Sequence, residues 1–125
     1  MSQKVIKITG WALTTIISLV LIMSISMKLT QNQTAIQQAA NFGFNGSTYF
    51  MIGVIELISL ILFIIPRTGV IGSLLLIAYM GGAIATHVQH QDSITMAVII
   101  ETLIWIAALL RFPELKQRLF GTKAI

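Results

Sequence analysis

The sequence has no cysteine, only two prolines and only four acidic residues in 125. Without cysteine there is no disulfide framework, thiolate metal site or dithiol redox centre. Any electron-transfer role must then rest on a bound cofactor or a partner protein. Charged residues make up 10% of the chain, against about 25% in soluble domains. Together with 56% hydrophobic residues and a mean hydropathy of +0.90, that scarcity excludes an ordinary soluble domain. The net charge of +4 does not describe a phosphate-binding face, because the basic residues gather at the termini and at the ends of apolar runs. The expected partner is a lipid bilayer and not nucleic acid.

Four apolar runs are present: 8–27, 49–65, 70–88 and 94–110. The first follows Lys4 and Lys7, as a signal peptide would. It is about 20 residues long, longer than a signal h-region of ~7–15, and no small-x-small cleavage site closes it. About 20 apolar residues at 1.5 Å per residue cross a ~30 Å hydrocarbon core. Thr14, Thr15 and Ser18 return hydrogen bonds to helix carbonyls and so cost little in lipid. The polar segment 28–47 has the alanines and glutamines of a short interfacial helix, with turn signals at Gly43 and Asn45-Gly46. Pro66 ends the second run, and the short link 66–69 forces an antiparallel hairpin. The fold class predicted is therefore all-α: one integral membrane domain over 1–125, built as a four-helix transmembrane bundle with an interfacial segment between its first two helices.

Orientation follows from Lys and Arg. With four spans, Lys4, Lys7, Arg67, Arg111, Lys116, Arg118 and Lys123 share one side, seven of the eight basic residues, and Lys28 stands alone on the other. The positive-inside rule then predicts both termini in the cytoplasm, for a multi-pass protein of the inner (cytoplasmic) membrane. Glu56 and Glu101 each fall about 15 Å from the basic boundary, near the midplane, while Lys28 and His87 end outward-rising helices. An ionised acid there costs about 2.5–3.5 kcal/mol even on lenient scales, so each needs a partner, a wet cavity or a proton.

Periodicity turns both acids inward. Tyr49, Gly53, Glu56, Ser59 and Phe63 recur at helical spacing, as do Ala97, Glu101, Trp105 and Ala108. On the third run, Ala78, Gly81, Gly82 and Ala85 offer close approach to a neighbouring helix, or room for a ligand against the backbone. The stretch from Ile55-Glu56 to Pro66-Arg67 also weakly echoes that from Ile100-Glu101 to Arg111-Phe112-Pro113.

Several blocks resemble the DoxX-like family of small four-helix bacterial membrane proteins. They are Lys28-Leu29, Asn41-Phe42-Gly43-Phe44, Ile52-Gly53-Val54-Ile55-Glu56-Leu57, Ile65-Pro66-Arg67, Gly81-Gly82-Ala83-Ile84-Ala85-Thr86-His87 and Leu110-Arg111-Phe112-Pro113. They run in order from about residue 26 to 120, and the block ending at His87 is the most specific. Asn45 departs from the pattern, standing where relatives often carry proline, and Glu101 lies outside it. The resemblance implies an association with quinone-linked redox complexes, since the family is named for a subunit associated with a terminal quinol oxidase and with thiosulfate:quinone oxidoreduction.

The leading expectation is a subunit that binds a quinone or similar lipophilic small molecule in a polar-lined cavity opening outward. Glu56 and His87 would exchange protons, and Lys28, Tyr79, Gly82, Thr86, Glu101 and Trp105 would contact the ligand. A redox protein is the expected partner, an accessory role beside a quinone-linked oxidoreductase is the enzymatic reading, and a homodimer is open to so small a bundle. The alternatives are a binding or transport module for a lipid-like solute, and a structural subunit whose polar cluster only sets helix register. His87, His90 and Asp92 are too exposed and loosely held to be expected as a metal site.

Overall fold

Three of the helices begin where a short polar side chain replaces a missing backbone partner. In the computed structural model, which describes residues 2–121, Ser2 accepts from the Val5 N–H and caps α1 (Gln3–Thr30). Asn32 accepts from Ala35 N–H to start α2 (Gln33–Asn41), and Asn45 accepts from Thr48 N–H to start α3 (Gly46–Ile64). Asn45 thus does at the mouth of α3 what a leading proline does by other means: it accommodates the free amides of the first turn. A single 3-10 turn, Pro66–Thr68, links α3 to α4 (Gly69–Gln89), and α5 (Thr95–Arg111) follows a short polar turn.

The chain is a membrane protein. Its described residues are helical with no strands, and α1, α3 and the Pro66–Gln89 segment are each long and apolar enough to cross a bilayer. α5, 17 residues and about 26 Å long, becomes a fourth candidate only together with the short helix that follows it. α1 packs on α3 and α5, and α4 packs on the same two, so the four long helices form a ring. Large apolar side chains such as Leu19, Met23, Ile58 and Ile71 point outward, while Ile17, Leu60, Phe63, Leu76 and Ile104 fill the interior. Apolar residues thus cover both faces, as a helix between a core and lipid requires.

The described residues contain six α-helices, not four helices with a tail. The interfacial segment between the first two spans is α2, whose Ala35 and Ala39 pack on Tyr49. The sixth, α6 (Pro113–Phe120), falls where a basic tail alone was expected, and it turns 106° away from α5. Pro113 has no N–H to continue the α5 ladder and holds Phe112 extended, at φ −123° and ψ 90°. Leu115 then tucks against Ala108 and Phe112. Lys123 lies outside the described residues.

The glycines that bring helices together are not the pair that composition suggested. A Cβ added at Gly81 or Gly82 would meet nothing within 4 Å. Close approaches occur instead at Gly72, where α4 lies against the backbone of Leu62 and Phe63, at Gly69 against the Phe112 ring, and at Gly53, where α3 lies against the Lys28 side chain. Gly-Gly in mid-α4 therefore borders open space, and the second of the two forms part of a cavity wall.

Candidate functional site

In the half of the bundle away from the termini, the four long helices part around a cavity of about 580 Å³. That volume lies within the ~300–1,000 Å³ of small-molecule sites. α1 contributes Ser24 and Lys28, α3 contributes Tyr49 and Glu56, α4 contributes Tyr79, Gly82, Thr86 and His87, and α5 contributes Met96 and Ile100.

The helical spacing of the α3 stripe places Glu56 inside, and it is 1% exposed. Its Oε1 accepts from three donors on two other helices: Tyr79 OH at 2.8 Å, Lys28 Nζ at 3.1 Å and Ser24 Oγ at 3.4 Å. Lys28 also donates to Ser24, one turn below it on α1. Lys28 is 8% exposed and forms an ion pair with Glu56, so this lysine turns inward and does not snorkel to the outer boundary. Gly53 makes the reach possible, because a side chain there would collide with the Lys28 stem. The second carboxylate oxygen, Glu56 Oε2, is buried and accepts no hydrogen bond from any described residue. One oxygen is saturated and the other is bare.

α2 and the turn after it pack over the end of the bundle beside this cluster. Tyr49 OH donates to Gln38 Oε1 at 2.7 Å, tying α3 to α2, and the Tyr49 ring lies 5.2 Å from Lys28 Nζ. Gly43 takes the left-handed conformation (φ 79°) that swings the chain back after α2, and Phe42 and Phe44 line the cavity on either side of it. Phe42 meets the rings of His87 and His90 edge-on, at 5.0 and 5.5 Å. Ser24, Gln38, Tyr49 and the two phenylalanines were not foreseen as site residues. The Asn41–Phe44 block and the placement of Tyr49 on the Glu56 stripe were the available signals.

His87 borders the cavity but bonds away from Glu56. Its Nδ1 lies 3.0 Å from Asp92 Oδ2 in the α4–α5 turn. The Ser93 N–H on its Oδ1 and then the His87 contact hold the Asp92 carboxyl below its usual range. His90 Nδ1 bonds the Thr86 carbonyl instead, and among the described residues no three acidic or histidine side chains converge as metal ligands would. Of the residues singled out from the sequence, Lys28, Glu56, Tyr79, Gly82, Thr86 and His87 share the cavity. Glu101 and Trp105 do not: both are half-exposed on α5 and outside its wall. The echo between the two hairpins is thus not a chemical one, since Lys28 meets Glu56 while His87 meets Asp92.

At the opposite end Arg111 is drawn into the bundle. It donates to Thr14 Oγ1 at 3.3 Å and to the Ile64 carbonyl at 3.1 Å. Its guanidinium lies over Trp11, Phe112 and Phe63 at 4.1, 4.7 and 5.0 Å. A residue counted for topology therefore joins α1, α3 and α5, using the flat face and forked donors that lysine lacks.

No curated protein and no solved structure matches the chain. The model of the DoxX-like family matches residues 12–110, from within α1 to the last turn of α5, and so takes in every residue that lines the cavity. By that match the chain belongs to the DoxX-like family.

Proposed function

We propose that the protein is a membrane subunit that binds a quinone or a similar lipophilic small molecule in the cavity and exchanges protons through Glu56 and His87. The observation that carries the reading is an apolar cavity of ligand size with one ion-paired carboxylate in its wall. An intramembrane acid is costly and is a functional residue by default. Here one of its own oxygens has no protein donor, and a histidine borders the same cavity. With no cysteine, the chain needs a redox protein as partner for electron transfer. A structural role is the second reading, favoured by the way Lys28, Ser24 and Tyr79 bind three helices together through one oxygen.

Extraction of protein purified in its native lipids separates the two. The binding role predicts quinone, counted in either redox state, at about one per chain, lost in Gly82→Phe, whose ring would fill the cavity from an open position. Wild-type protein that carries only bulk phospholipid supports the structural role and overturns the binding one.

Both termini are proposed to face the cytoplasm of the cell, with the cavity in the outer half of the inner membrane. Lys4, Lys7, Arg67, Lys116 and Arg118 at the end carrying the termini support this, even with the buried Arg111 set aside. The absence of native cysteine makes the test direct. In intact cells a membrane-impermeant maleimide should label Gln91→Cys and spare Gln117→Cys, and the reverse pattern would invert the topology.

A further inference from the structure

We infer that the cavity selects ligands that present a hydroxyl or N–H donor to Glu56 Oε2, so that of the lipophilic molecules proposed above it takes the hydroxyl-bearing ones, a quinol or another phenol or alcohol, and not the acceptor-only oxidised quinone. This rests on the binding role proposed above and names the chemistry the site reads. As the acid of an ion pair with Lys28, Glu56 can only accept hydrogen bonds. All three of its protein donors fall on Oε1, and Oε2, shielded from solvent, has none among the described residues. A buried acceptor without a donor carries a desolvation cost that one added donor removes. The rest of the wall, with Leu21, Ile52, Met80 and Ile100, asks for an apolar body on that donor. An ether or ketone of the same shape would place a second acceptor against a carboxylate and leave Oε2 bare.

The three donors also fix what glutamine would do at this position. Lys28 has no acceptor, so in Glu56→Gln the amide oxygen takes the place of Oε1 and the NH₂ group takes the place of Oε2. A buried acceptor on a cavity-wall residue becomes a donor, and the selectivity should reverse.

The probes are 4-hexylphenol and its methyl ether, titrated calorimetrically into protein in lipid nanodiscs, with empty nanodiscs correcting for partition. For the wild type the phenol should bind about tenfold or more tighter than the ether. For Glu56→Gln the ether should bind tighter than the phenol. Equal affinities in the wild type would overturn this inference and leave the binding role standing, with water as the partner of Oε2. Binding of neither probe would overturn this inference, and the extraction in native lipids then decides the binding role by itself. The wild-type comparison decides the matter by itself where Glu56→Gln does not fold.

Discussion

Lys28→Met should destabilise the bundle by about 3–5 kcal/mol, the cost of breaking a buried ion pair from one side. Methionine keeps the length and apolar character of the lysine stem, so packing against Gly53 is retained, while the cation over the Tyr49 ring goes with the charge. What is lost is the only cation near Glu56 in the cluster, leaving Tyr79 and Ser24 to face a buried charge. The double variant Lys28→Met, Glu56→Gln should recover most of the loss, because it leaves no charge to compensate. Chemical unfolding in lipid or mild detergent measures both. A single variant as stable as the wild type would mean that lysine and glutamate do not hold each other in place. A double variant no better than the single would mean that lost packing, and not the stranded charge, is the cause.

Gly72→Ala should cost about 3 kcal/mol, the upper end for an overpacked core. The added methyl would fall on the Phe63 amide nitrogen and Cα and on the Leu62 carbonyl carbon. Those are backbone atoms, which no rotamer change can move aside, so α3 and α4 would have to separate along their hairpin. Gly81→Ala is the matched control on the same helix. It points into open space and should gain up to about 1 kcal/mol of helix propensity. Equal melting temperatures for the two variants would show that the helix crossing has slack at Gly72.

The contrast between these glycines shows how far pattern alone carries. Gly81-Gly82 is the conspicuous pair, yet it borders open space, while the single Gly72 sets the crossing of α3 and α4. Small residues permit close approach wherever they occur, and which of them is used depends on where the neighbouring axis passes. Arg111 makes the same point for charge. Its place at the end of an apolar run marks a boundary by composition, and only the positions of Trp11, Thr14 and Phe63 turn it into a clasp between helices.

Composition and period sufficed for the membrane class, the four apolar runs, the short helix between the first two and the inward face of α3. These depend on local quantities: the length of a run, the transfer cost of its side chains, and the 3.6-residue repeat that puts Tyr49, Glu56 and Phe63 on one side. Pro113 in the chain marks the end of α5, but the helix it starts at 106° needed the contact of Leu115 with Ala108 and Phe112. The site was decided by tertiary structure. A lysine one turn from a helix end can reach outward to water or inward to an acid, and the sequence is the same in both cases. Gly53, Ser24 and Tyr79, brought together from three helices, turn Lys28 inward. Glu56 and Glu101 sit at similar distances from the basic ends of their runs, and only the packing of α3 and α5 distinguishes the buried acid from the half-exposed one. Depth is a property of one helix, whereas a hydrogen bond between helices belongs to the bundle.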